Sequence, residues 1–189
     1  MKKLITRISI YAAIGIVALP LTVITHELGH YFAYLIFGAS NVQLHSVSVS
    51  ADKEALGNIQ LAIAAIVGPI ISYLTLGLAL FFTRKNYVPF WVIIGLAAPF
   101  GRIVNAVYIY FRALGYNPNP NFDEFNFSRN VNIEPLILAI PTMIAFFFVV
   151  WIFLGKAWRV GKIAELAAVI FSVACGLVVW SLVGGMILP

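Results

Sequence analysis

Residues 8–38 read ISIYAAIGIVALPLTVITHELGHYFAYLIFG, an apolar run interrupted only by Pro20 and by His26-Glu27-Leu28-Gly29-His30. About 20 apolar residues carry a helix across the hydrocarbon of a bilayer. This run is longer than one straight crossing. Pro20 can kink it, or split it into a span and a separate motif-bearing helix, and the residues alone leave both open. Four more apolar stretches follow, at about 59–82, 88–111, 133–154 and 163–188, each suited to one transmembrane helix.

Composition agrees with that reading. The 189 residues are 62% hydrophobic and only 10% charged, where a soluble domain is about 25% charged. No soluble core of this length hides so much apolar surface. The expectation is an all-α, polytopic transmembrane helix bundle of about five spans, or six if the first stretch is two. It forms a single integral-membrane domain over 1–189, with a catalytic core at about 20–130. Between the first two spans, Val42, Leu44, Val47 and Val49 nearly alternate, which predicts a short extended or hairpin segment. Residues 112–132 are the longest polar stretch, with a turn signal at Asn117-Pro118-Asn119-Pro120-Asn121.

Basic residues in short loops set orientation. With five spans, Lys2, Lys3, Arg7, Arg84, Lys85, Lys156, Arg159 and Lys162 share one side, expected to be cytoplasmic together with the N-terminus. The other side carries Lys53, Arg112 and Arg129 against Asp52, Glu54, Asp123, Glu124 and Glu134. The run after Met1-Lys2-Lys3 continues through the His-Glu motif without a small-x-small cleavage site, so it reads as an uncleaved first span. The net charge of +5 is scattered among apolar segments, with no basic, aromatic-interleaved patch for nucleic acid. Cys175 is the only cysteine, which excludes an intrachain disulfide and a thiolate metal cluster.

Chemistry concentrates at 26–30. His26 and His30, four apart on a helix, share one face and can bind one metal ion. Glu27 between them is placed to take the proton of an attacking water. Ionisable groups at membrane depth are costly and read as functional. A zinc hydrolase needs a third protein ligand. His45, Asp52, Asp123 and Glu124 are the candidates. His45 and Asp52 read as loop residues. Asp123 is either the ligand or a turn or helix cap, and its neighbour Glu124 leaves the assignment open by one residue. Arg102 and Asn105 share a face of the third stretch. Arg102 either pairs with a carboxylate nearby or, the favoured expectation, snorkels to an interface. Asn105 either positions substrate and water or bonds between helices. Gly68-Pro69 reads as close helix packing with a kink, and Phe146, Phe147, Phe148 and Trp151 as lipid-facing or packing residues.

His26-Glu27-Leu28-Gly29-His30, followed by Tyr31-Phe32-Ala33 and Phe37-Gly38, resembles the first core helix of the site-2 protease family of intramembrane zinc metalloproteases. Val67-Gly68-Pro69, opening into Ile70-Ile71-Ser72, looks like the family's Gly-Pro segment. Asn105 and Asp123 occur in the order of its Asn-x-x-Pro…Asp-Gly pattern, although Glu124 stands where the family has Gly. The resemblance covers about 20–130. It implies one zinc ion held by His26, His30 and Asp123, with Glu27 as general base and Asn105 as a catalytic positioning residue. The implied substrate is a membrane-protein or membrane-proximal peptide. An extended segment near 42–49 would offer it edge pairing. Two other readings stand beside this one: an inactive relative that binds a membrane protein, and a metal-binding or metal-transporting membrane protein. Transport wants polar residues along several spans, and the last two spans are almost wholly apolar.

Overall fold

The first apolar stretch folds as one helix. The computed structural model describes residues 2–159 and 162–188. In it, α1 (Lys2–Ile36) continues through Pro20, so the span is neither split nor doubled. A proline inside a helix forfeits one backbone hydrogen bond, a cost of about 3 kcal/mol. Burial of Ala18 and Leu19, the two residues before Pro20, helps to offset that cost. At about 1.5 Å per residue the helix is longer than the hydrocarbon is thick, so it tilts or extends beyond it. It stops at Gly38, whose φ of +81° is open to glycine without penalty. The Ala39 N–H donates to the Tyr34 carbonyl at 3.0 Å and the Gly38 N–H to Leu35 at 3.1 Å, which closes the last turn.

The near-alternating segment becomes an antiparallel hairpin of β1 (Ser40–Leu44) and β2 (Val49–Asp52). Leu44 pairs with Val49 and Gln43 with Ser50, and the register shifts before Ser40 meets Asp52. The hairpin tip is tied to the C-terminal end of the chain. Trp180 Nε1–H donates to the Ser46 carbonyl at 3.0 Å, and the Ser46 N–H donates to the Leu188 carbonyl at 3.1 Å.

The remaining helices are α2 (Asn58–Thr83), α3 (Pro89–Ala97), α4 (Ile103–Ala113), α5 (Asp123–Asn130), α6 (Leu136–Arg159) and α7 (Ile163–Ile187). The third apolar stretch is therefore not one continuous helix. Pro99 has no N–H to return to Gly95, and a single 3₁₀ turn at Phe100–Arg102 separates α3 from α4. Counted as one broken crossing, Pro89–Ala113 joins Thr6–Ile36, Asn58–Thr83, Leu136–Arg159 and Ile163–Ile187 as the five segments long and apolar enough to span a bilayer. The chain is an all-α, multi-pass membrane protein.

The core joins α1, α3, α6 and α7 through Leu19, Val92, Ile93, Phe153 and Val169, each no more than 2% exposed. Gly15 and Gly176 let α1 and α7 approach backbone to backbone, since a Cβ on Gly176 would collide with the Gly15 carbonyl. On α6, Phe146 packs inward while Phe147, Phe148 and Trp151 are exposed on the outer face, where lipid would cover them. The alternating crossings gather Arg7, Arg84, Lys85, Lys156, Arg159 and Lys162 at one end of the bundle. There Glu165 accepts from Arg7 at 3.2 Å and from Lys162 at 2.6 Å. The opposite end carries the hairpin and α5, and the candidate site lies beneath them.

Candidate metal centre

The α-helical repeat sets His26 and His30 one above the other on α1. Their Nε2 atoms lie 3.1 Å apart. Asp123, the first residue of α5, places Oδ2 3.1 Å from His26 Nε2 and Oδ1 3.4 Å from His30 Nε2. A tetrahedral zinc site with ordinary zinc–ligand bonds has ligand atoms about 3.3 Å apart. The three separations fall on either side of that value. His26 and His30 are buried and Asp123 half-buried, and these three form a group of the right donor types for one ion.

The other ring nitrogens are fixed from α2. His30 Nδ1 lies 2.6 Å from the Ala64 carbonyl. A carbonyl only accepts, so Nδ1 carries the hydrogen and the neutral ring keeps its lone pair on Nε2. His26 Nδ1 lies 3.0 Å from Ser72 Oγ, a partner that permits the same tautomer. Between them in sequence, Gly68 leaves room for both rings: a Cβ there would collide with His30 Nε2 and come within 2.8 Å of His26 Cε1. Ala64, Gly68 and Ser72 recur every fourth residue, a stripe of small residues facing α1. That spacing was the available signal for this support, whereas Gly68-Pro69 read alone pointed only to packing.

Asp123 opens α5, whose first turn also holds Glu124, and both carboxylates lie at the favourable end of the helix dipole. Burial acts to raise the Asp123 carboxyl. When the rings are protonated, hydrogen bonds from His26 and His30, with the His30 and Arg102 charges, outweigh it and hold the group well below the usual carboxylate range. Phe125 anchors α5 against Tyr108 of α4 and Ala139 of α6.

Arg102 does not snorkel to an interface. It is 7% exposed. One of its Nη atoms donates to Asp123 Oδ2 at 3.0 Å and to Glu124 at 2.9 and 3.0 Å. The interruption at Pro99 puts this side chain on a 3₁₀ turn inside the bundle, where a guanidinium needs anionic partners. Glu124, fully buried, is thereby the partner of Arg102, while Asp123 is the carboxylate at the histidines.

Asn105 is also fully buried. Its Nδ2 donates to Thr142 Oγ1 of α6 at 3.2 Å. It is not among the residues lining either cavity described below, so the structure places it at a contact between helices. His45 bonds to Ser50 within the hairpin, and Asp52 accepts from Ser40 and Asn41. His45 lies in the turn of the hairpin, as expected, whereas Asp52 is the last residue of β2 rather than a loop residue.

Two cavities meet at the cluster. One, about 280 Å³, is largely polar and lies under the hairpin and α5, with Ser48, Lys53, Asn126, Arg129 and Asn130 in its wall. The other, about 380 Å³, is largely apolar and lies among α1, α3 and α7, with Leu19, Val23, Ala97, Phe100 and Leu177 in its wall. Glu27, Val47, Asn121 and Asp123 line both. Glu27 is 8% exposed, and its carboxylate has no hydrogen-bond partner among the described residues, which leaves it free to accept a proton. No family model, curated protein or solved structure matches the chain.

Proposed function

We propose that this chain is an intramembrane zinc metalloprotease of the site-2 protease type, hydrolysing a peptide bond within or next to a membrane span. The observation that carries the reading is the convergence of His26 Nε2, His30 Nε2 and the Asp123 carboxylate at tetrahedral edge lengths, with Glu27 facing the same two cavities. These three residues would hold the ion. A zinc ion there supplies a Lewis acid, which acidifies water and polarises the scissile carbonyl. Ser72 and the Ala64 carbonyl keep the two imidazoles turned toward the centre. Glu27 takes the proton of the attacking water and delivers it to the amine that leaves as the peptide C–N bond breaks. Water reaches Glu27 through the polar cavity, while the apolar cavity accepts substrate side chains. Val47, Ser48 and Val49 give the polar cavity a hairpin wall along which an extended substrate can pair. By the rule that basic loops face the cytoplasm, the basic end of the bundle and the N-terminus would lie on that side and the centre toward the opposite face.

The test is zinc per chain in detergent-purified protein, wild type beside Asp123→Ala, followed by cleavage assays with Glu27→Gln as the inactive control. About one zinc in wild type, a clear loss in Asp123→Ala and turnover abolished in Glu27→Gln are the expected results. A well-folded wild type that takes up no zinc when supplied would overturn the reading. Zinc without any cleavage would turn it into a metal-holding binding protein.

A further inference from the structure

The charges around the centre are unevenly placed. Glu27 and Asp123 line both cavities, whereas Lys53 and Arg129 line only the polar one. Neither cation is salt-bridged among the described residues. The Lys53 ammonium rests over the Tyr34 ring, 4.8 Å from its centroid, which holds it at the cavity wall. Arg129, in the last turn of α5, is exposed there. Buried within the polar wall, Asn126 Oδ1 is an acceptor without a partner, suited to a peptide N–H.

A peptide passing from one cavity to the other crosses Glu27 and Asp123. Its apolar part fits against Leu19, Val23 and Leu177, and its polar part arrives between two unpaired cations. Resting on the protease reading, we propose that the substrate carries a carboxylate on the polar side of the scissile bond, recognised by Lys53 and Arg129. A cationic flank there would face like charges. The carboxylate comes from an Asp or Glu side chain, or from a free C-terminus.

The experiment measures binding of synthetic single-span peptides to full-length, zinc-loaded Glu27→Gln protein in neutral detergent. Peptides share one apolar segment and differ in a three-residue C-terminal flank of Glu, Gln or Lys, each made with a free and an amidated C-terminus. Glu-flanked, amidated peptide is expected to bind about tenfold tighter than its Gln counterpart, the size expected of two partly exposed ion pairs. If the terminal carboxylate is the recognised group, the gain instead separates free from amidated Gln peptides. Either gain should vanish in Lys53→Gln/Arg129→Gln and persist in Arg84→Gln/Lys85→Gln, which removes the same charge from the far end of α2. Equal affinity across all peptides overturns the proposal, and so does a gain that survives the first double variant. Binding is read without turnover. A zinc-holding wild type that shows the preference but cuts nothing therefore defeats the protease reading and not this one.

Discussion

His26, Glu27 and His30 arrive together within five residues of α1, whereas Asp123 arrives 97 residues after His26, on the first residue of an eight-residue helix. The two walls of the centre are fixed by different physics. On the α1 wall the helical repeat sets the ligands on one face, and α2 adds room at Gly68 and hydrogen-bond partners at Ala64 and Ser72. The Asp123 wall has no such ruler. Its position depends on the break at Pro99, on Arg102 bridging Asp123 and Glu124, and on Phe125 packing under α5. Changes on the first wall should therefore alter chemistry or ligation locally. Changes on the second should unsettle the fold that carries the ligand.

The sharpest way to break this comparison is Glu27→Gln. If the α1 wall separates holding the ion from moving the proton, turnover should fall about a thousandfold, within the range for a general base, with zinc content unchanged. Cleavage rate and metal analysis on the same preparation decide it. Wild-type turnover in the variant would remove Glu27 from the mechanism.

On the opposite wall, Arg102→Met strands Glu124 as a buried, unpaired carboxylate. A loss of about 3–5 kcal/mol is expected from removing one partner of a buried ion pair. Arg102→Met/Glu124→Gln, which removes the stranded charge, should recover much of it. Thermal unfolding in detergent reads both. If the single variant is as stable as wild type, the bridge does not hold α5, and the contrast between the two walls collapses.

Gly68→Ala probes the support of the α1 wall from α2. The new methyl group meets both imidazoles, so zinc affinity by chelator competition should fall about a hundredfold, comparable to the loss of an outer-sphere partner. Gly77→Ala on the same helix places its Cβ in open space and should leave affinity unchanged. Equal effects at the two positions would mean that helix propensity, not contact with the rings, governs the result.

The same contrast explains what could be read from the residues alone. The spans, the hairpin and the α1 ligands follow from periodicity and spacing, which are local. The unbroken course of α1 through Pro20 was open, because a proline costs the same few kcal/mol whether or not neighbouring helices offset it. Asp123 and Glu124 were open because adjacent carboxylates at a helix start differ only in direction, and Arg102 decides between them from another element. Arg102 itself was misread for that reason: whether an arginine snorkels or turns inward depends on the partners that folding brings to it. Asn105 was open between catalysis and a bond between helices, and its donation to Thr142 depends on a partner from another element.

Ser72→Ala is the finest of these tests, since it removes one hydrogen bond to an imidazole that the helix already aligns. His26 would lose its partner at Nδ1, while His30 keeps the Ala64 carbonyl. Zinc affinity should drop by about tenfold, the low end for an outer-sphere partner, and turnover at saturating zinc should change little. Ser72→Thr, which keeps the hydroxyl, should restore affinity if the added methyl fits. A hundredfold loss in Ser72→Ala would show that α2, rather than the helical repeat, aligns the α1 ligands, and both walls would then depend on tertiary contacts to the same degree.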